Sequence, residues 1–284
     1  MNKQELVTIA IPTYNRAGFL KTAIESCIKQ TYQNIEILVL DGGSTDNTKQ
    51  VVESFNDSKI VYYKNAENIG MMRSWNRCIE LSGGEFIIIL GDDDTLHTNF
   101  INETMKIYKK YPSLGFIFTG ANKVDINGSF VMKWGYDFTP SGYLSGLDYL
   151  FYTIKYGCCL TNSSTMICRK EVYKKVGPYE AEFAKNTFDF NMYIKIASKF
   201  DVYFLNKVLS DYKIHPEQVS QIHWRRKEHP TGKIGTYLEI FKAIGLLLDS
   251  NNFTDHRKKK FIYKQLPKID KELTLLLMKI APEL

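Results

Sequence analysis

Three consecutive carboxylates, Asp92, Asp93 and Asp94, follow an apolar run at residues 86–90. Neighbouring acids at the end of a buried strand repel one another and raise each other's pKa unless a cation compensates. A hard divalent cation does this, and Mg²⁺ commonly takes one or two carboxylates plus substrate phosphates. The cluster therefore points to a metal–diphosphate site. Asp41, at the end of a second apolar run, strengthens that reading. The bland alternative is a solvated acidic turn that caps the next helix, and an all-apolar run before three acids makes a poor setting for it.

Such residues need a frame, and the first 120 residues supply one. Apolar, β-branched runs at 6–11, 35–40, 60–63, 86–90 and 114–119 predict strands. Between them, helical spacing predicts helices over 17–30, 46–55, 71–81 and 98–111. Strands alternating with helices make βαβ units and a mainly parallel α/β sheet flanked by helices. In an open parallel sheet, ligands bind beyond the carboxyl ends of the strands. The loops there are Pro12–Arg16, residues 41–46, residues 65–70 and residues 91–94. No Gly-rich phosphate loop of the Walker or dinucleotide type follows any strand, so the phosphates must be met by metal and side chains. After residue 120 the rhythm changes. Asn127-Gly128 predicts a hairpin turn, a short helix is expected over 147–154, strands over 166–168 and 202–205, and a helix over 188–200. Three more helices are expected over 234–248, 254–265 and 271–280, a C-terminal helical extension.

The chain has 284 residues, 44% hydrophobic and 24% charged, with a net charge of +6. That is the composition of a folded protein and excludes a disordered chain or a small disulfide scaffold. Residues 251–284 hold eight Lys/Arg against four acids and so carry +4. The first 250 residues carry only +2, too little for a polybasic nucleic-acid binder, and no nucleic-acid partner is expected. Five cysteines with no C-x-x-C pair fit a reducing compartment. No apolar stretch is long enough for a signal peptide or a membrane span, so a cytoplasmic location is expected.

Taken in order, the loops resemble those of the inverting family 2 glycosyltransferases of the GT-A fold, over about residues 6–220. Val7–Arg16 resembles that family's first strand and nucleotide loop. Residues 37–46 resemble its second strand, whose acid, here Asp41, reads the base. Asn68-x-Gly70 with Asn76 resembles the third loop, and residues 90–94 the D-x-D region. Asn162–Lys170 with Val176–Tyr179 looks like the acceptor-side segment. Phe188-Asp189 resembles the E-D pair that carries the general base, and residues 212–215 the terminal Y-R-x-H segment. Two positions depart from the pattern. Gly91 stands where the first acid of D-x-D is usual, and Phe188 where an acid precedes the base.

The resemblance implies transfer of a sugar from a nucleoside diphosphate, UDP-sugars being the first expectation, to a hydroxyl on a glycan or lipid-linked oligosaccharide of surface-polysaccharide type, with inversion. Asp189 is then the general base. Pro12, Thr13, Tyr14, Arg16, Asp41, Asn68, Gly70 and Asp92 hold the nucleotide sugar. Asp93 holds Mn²⁺ or Mg²⁺, and His215 joins it. Asp41 can accept a pyrimidine N–H, and Tyr14 can stack on the base. The helix start at Asp189 should favour its ionised form. Arg73 reads as a solvated helix face; Trp224, Arg225 and Arg226 form a lid candidate. Tyr136, Tyr143, Tyr149, Tyr152 and Tyr156 are candidate sugar contacts, equally explained as core. The expected division is a nucleotide half over 1–120, an acceptor half over 121–220 and a basic extension over 221–284. Basic and amphipathic, that extension suits either a packed lid or a helix on anionic lipid at the cytoplasmic membrane face. The rival readings are a catalytically degenerate sugar-nucleotide binder and a nucleotidyltransferase. The second lacks its Gly- and basic-rich first loop.

Overall fold

The computed structural model describes residues 4–135, 140–156, 162–181, 187–218 and 231–280. Strand β1 (Val7–Thr13), helix α1 (Ala17–Ile28), β2 (Ile35–Asp41), α2 (Thr48–Glu53), β3 (Ile60–Lys64), α3 (Met71–Leu81) and β4 (Phe86–Ile89) form the first half. β5 (Thr95–Leu96), α4 (Phe100–Lys110), β6 (Phe116–Val124), β7 (Phe130–Trp134), β8 (Gly142–Leu144) and α5 (Gly146–Tyr156) follow. Then come β9 (Met166–Arg169), α6 (Lys170–Val176), α7 (Phe188–Ala197), β10 (Val202–Lys213), α8 (Thr231–Leu248) and α9 (His256–Ile280).

Among the described residues, all ten strands join one sheet in the order β3-β2-β1-β4-β9-β6-β10-β5, with β7 on β6 and β8 on β10. β3, β2, β1 and β4 are mutually parallel. β9 then inserts antiparallel between β4 and β6, and β10 runs parallel to β6. The sheet is thus parallel where the loops of the first half converge and mixed beyond. Alternation along β4 explains the layers. Phe86, Ile88 and Leu90 enter the core under α1 and α4. Ile87 and Ile89 enter a second core with α5, α6 and α7. A strand covered on both faces reads apolar at each position.

Three expectations change. The strand expected at 202–205 runs on to Lys213, bending at register shifts around Val208; polar Asn206 and Lys207 hide the continuation. Its extension carries Tyr212 and His215 to the same sheet end as the aspartates. The two helices expected at 254–265 and 271–280 are one helix, α9, with Pro267 inside it. Proline costs a helix hydrogen bond, yet Ile262 and Ile269, two turns apart, are both buried in the same core. That shared face carries the helix through. Helix α6, short and basic, was not expected at all.

The C-terminal helices are fused to the second half. Ile240, Ala243, Ile244, Leu247, Phe253 and Ile262 share the core of α5 and α7. Phe151 and Phe261 meet edge to face at 5.6 Å, and Lys258 pairs with Asp148. Among the described residues, no helix is long and apolar enough to cross a membrane.

Candidate active site

The ends of β1 and β2 are stitched together before any ligand arrives. Gly42 donates its N–H to the Thr13 carbonyl at 2.8 Å. Asn15, left-handed at φ 53, takes the Thr45 N–H on its side chain at 2.8 Å and gives its own N–H to Ser44 Oγ. Asn tolerates that conformation better than most residues. Asp46 accepts the Ala17 N–H at 3.0 Å, satisfying a donor at the start of α1 from the neighbouring loop. Asn68 closes the third loop by accepting the Gly70 N–H at 2.9 Å, and Gly70 at φ 82 turns the chain into α3.

The acidic cluster sits where these loops meet β10. Asp92, Asp93 and Asp94 are all buried. Thr13 donates to Asp92 at 2.8 Å. Arg16 reaches Asp92 at 3.1 Å and Asp93 at 2.9 Å, and gives its other nitrogen to the Glu217 carbonyl. His215 Nε2 lies 2.9 Å from the same Asp93 oxygen, its ring stacked on Phe19 at 4.5 Å. Asp94 is used by the fold: it accepts from Ser164 at 2.5 Å and from the Lys213 N–H at 3.0 Å, tying β4 to β10. Burial and the Asp93 charge push Asp92 up to about 6, against the pull of Arg16 and Thr13. Burial, then Asp93, holds Asp94 well above the usual carboxylate range. Burial works against the charge on Arg16, but Asp92 and Asp93 outweigh it. Two carboxylates share one guanidinium and a third stands next in sequence, which leaves the cluster short of positive charge. Gly91 also finds its reason here. A Cβ at that position would lie 3.0 Å from carboxylate oxygens of Asp93 and Asp94.

Asp189 is the second residue of α7, and its side chain accepts the Phe190 N–H at 2.8 Å. Burial pushes its carboxyl up to about 6 despite hydrogen bonds from the helix start. The helix start does favour the ionised form, as expected, but desolvation exceeds that contribution and the net shift is upward. Asp189, Asp92, Asp93, Asp94, Pro12, Thr13, Tyr14, Arg16, Asn68 and Gly70 all line one cavity of about 510 Å³. A larger hollow of about 660 Å³, beside Gly146, Arg169 and Phe200, holds none of them.

Two expected residues stand behind the cavity wall. Asp41 is fully buried, and its oxygens accept from the Ser44 N–H at 2.7 Å and the Tyr62 hydroxyl at 2.5 Å; Gly42 is what faces the cavity. His215 is 3% exposed and reaches the site through Asp93. Of the tyrosines, Tyr149 is core, Tyr143 bonds Asp201 and Tyr152 stacks on Tyr156; none lines the cavity. Arg73 is exposed. Tyr136, Trp224, Arg225 and Arg226 lie outside the described residues. Sequence reasoning missed Trp75 and Ser74 in the wall. They lie one helical turn past Gly70 on α3, a spacing that could have drawn notice.

For a metal, the donor set is Asp93 and His215. Among the described residues no group of three or more His, Cys, Asp or Glu is arranged to hold one. One carboxylate and one imidazole, with Arg16 already on the carboxylate, fit a cation that arrives with diphosphate oxygens. They do not fit one held by protein alone.

Comparison with known proteins gives the family and the fold. The chain is 30% identical over 218 residues to an uncharacterized glycosyltransferase of Rickettsia typhi, covering 76% of this chain and 66% of that protein. It is 32% identical over 142 residues to the Escherichia coli UDP-Glc:alpha-D-GlcNAc-diphosphoundecaprenol beta-1,3-glucosyltransferase WfaP, covering 46% of this chain and 57% of the other. The chain spans 66% or less of the Rickettsia relatives it matches, down to 31%. The fold is that of S. aureus TarS 1–349, solved with UDP-GlcNAc, at a TM-score of 0.65 and 18% identity, over 96% of this chain and 72% of TarS. The model of the family described as Glycosyl transferase family 2 matches residues 8–177, which takes in every strand from β1 to β9 and the whole acidic cluster. More than half of the sequence is thus covered, and the chain belongs to glycosyl transferase family 2.

Proposed function

We propose that the chain moves a sugar from a nucleoside diphosphate to an acceptor hydroxyl with inversion. The observation that carries this is one cavity lined by both Asp189 and the aspartate cluster. As the acceptor oxygen bonds to the anomeric carbon, its proton passes to the Asp189 carboxylate. The bond from that carbon to the phosphate oxygen breaks, and its electron pair leaves with the diphosphate. A divalent cation, Mn²⁺ or Mg²⁺, held by Asp93 with His215, would supply positive charge for that departure. Thr13 and Arg16 hold Asp92 in place, Tyr14 offers a ring for the base, and Pro12, Asn68 and Gly70 shape the wall. Contact between Asp41 and a base would require the Ser44 loop to move, so we assign Asp41 to holding that loop. A degenerate binder is disfavoured because Asp189 faces the cavity.

UDP-sugars are the first donors to test, on the description of WfaP, and a lipid-linked oligosaccharide is the first acceptor class. The test is release of nucleoside diphosphate from a panel of UDP-, dTDP- and GDP-sugars, with Mn²⁺, Mg²⁺ or chelator. Turnover with one donor that falls at least tenfold in chelator is expected. Equal turnover in chelator would remove the metal, and none with any donor would remove the reading.

The extension supports a second element of this function. Arg257, Lys260, Lys264, Lys268 and Lys271 are exposed at helical spacing along α9, on the side away from buried Ile262 and Ile269. Tyr263 and Leu275, 58% and 46% exposed, flank them. A row of cations with apolar neighbours suits an anionic lipid surface at about 1 kcal/mol per cation. We place the protein peripherally on such a membrane, at its cytoplasmic face. Sedimentation with vesicles should show binding that requires anionic lipid and is lost when Lys260, Lys264 and Lys268 become Glu. Equal binding to zwitterionic vesicles would contradict it.

A further inference from the structure

Helix α8 presents Ile240, Ala243, Ile244 and Leu247 to the core. Glu239 takes a place on that same face and is fully buried. A carboxylate there carries a large desolvation cost, and an apolar side chain of similar size would pack at none. What Glu239 gains is specific. The Asn191 side-chain amide donates to its two oxygens at 3.1 and 3.2 Å.

Asn191 belongs to the first turn of α7, its N–H bonded to the Thr187 carbonyl at 2.9 Å. It lies two residues beyond Asp189, which is about 200° around a helix of 3.6 residues per turn. Asp189 therefore faces the cavity while Asn191 faces α8. Phe188 fixes the same turn from another side, edge to face with Trp75 at 5.0 Å and Tyr179 at 5.8 Å. Packing along the buried helix holds this turn by shape, and the contact of the Asn191 amide with both Glu239 oxygens adds a directional constraint to it.

We propose that Glu239 is a positioning residue for the catalytic turn: through Asn191 it sets the rotation of α7 and so the aim of the Asp189 carboxylate. The inference rests on Asp189 being the base. It also gives the C-terminal helices a part in the chemistry, since the acid that orients the base stands in α8, beyond the stretch that the family model matches.

The test uses the full chain and three variants: Glu239→Leu, Asn191→Asp, and the exchange pair Asn191→Asp with Glu239→Gln. In Asn191→Asp two carboxylates face each other; in the exchange pair the hydrogen bond is restored with donor and acceptor reversed. Turnover, donor KM, the pH profile of kcat and the melting temperature are measured on each. Expected are a loss of at least tenfold in kcat for Glu239→Leu and Asn191→Asp, with donor KM within twofold and the acid limb of the profile displaced. The exchange pair is expected to recover most of kcat and the wild-type limb. A lower melting temperature with kcat and pH profile unchanged would reduce Glu239 to a structural role and overturn the proposal. So would an exchange pair no better than Asn191→Asp. Should Glu239→Leu fail to fold, the other two variants decide alone. Failure of the glycosyltransferase reading shows differently, as a wild type that turns over no donor, and it takes this inference with it.

Discussion

Asp189→Asn should lower kcat about a thousandfold while leaving donor binding in place. General-base catalysis contributes roughly 10²–10⁴-fold, and Asn keeps the shape but cannot take the acceptor's proton. The amide oxygen can still accept the Phe190 N–H, which Asp189 accepts at 2.8 Å, so the start of α7 should persist. The same substitution should raise stability at neutral pH. Burial lifts the Asp189 carboxyl from 3.8 to about 6. An acid raised in the folded state binds its proton more readily there than in the unfolded chain. Its ionised form therefore destabilises the fold, and the cost appears as pH rises from 3.8 through about 6. A difference of one in pKa is about 1.4 kcal/mol, and because the Asp189 side chain is half-buried at the cavity wall, solvent screens some of it. Asn bears none of that cost, so the variant should melt a few degrees higher, at roughly 2–4 °C per kcal/mol for a chain of this length. Wild-type turnover should fall as pH drops through about 6, and the residual rate of the variant should lack that limb. Diphosphate release and melting curves on both proteins measure all three. A variant with more than a tenth of the wild-type rate would place the base elsewhere.

Asp189 is expected from the resemblance of Phe188-Asp189 to the family's E-D pair, whereas its partners are not expected at all, and the limit has a physical reason. The loops after β1 to β4 each follow an apolar strand, so strand periodicity alone delivers Pro12–Arg16, Asp41, Asn68 and Asp92–Asp94 to one end of the sheet. Local pattern carries that far. It does not carry the direction of a side chain at a strand end. Asp41 turns inward to Ser44 and Tyr62, and nothing in the run before it separates inward from outward. Nor does it carry contacts made across more than a hundred residues. His215 reaches Asp93 because β10 bends at Val208 and runs eight residues past its expected end. Glu239 meets Asn191 only because α8 packs on α7. Its one local signal is an acid at a core position of an amphipathic helix, where an acid is out of place.

Asp93→Ala should abolish the stabilisation that a nucleoside diphosphate gives together with a divalent cation. In the wild type, a ligand at about 100 times its Kd should stabilise by roughly 2.7 kcal/mol, a shift of about 5–10 °C for a chain this long. One Asp93 oxygen is the point where Arg16 and His215 converge, each at 2.9 Å. On the proposed reading it is also the carboxylate that shares a cation with a diphosphate. Its neighbours are committed: Asp92 to Thr13 and Arg16, Asp94 to Ser164 and Lys213. Removing Asp93 takes the carboxylate out of the proposed donor pair and leaves only His215 to hold the cation beside the diphosphate, so binding should weaken about a hundredfold. Asp94→Asn should behave otherwise, keeping the ligand-induced shift while changing the melting temperature of the free protein, because Asp94, although it lines the cavity, has its oxygens engaged by Ser164 and the Lys213 N–H. The contrast is the measurement. If Asp93→Ala keeps the shift with Mn²⁺ or Mg²⁺, the cation is held by other groups. If Asp94→Asn loses it as fully as Asp93→Ala does, the cluster acts as one acidic patch without the division of labour that its hydrogen bonds describe.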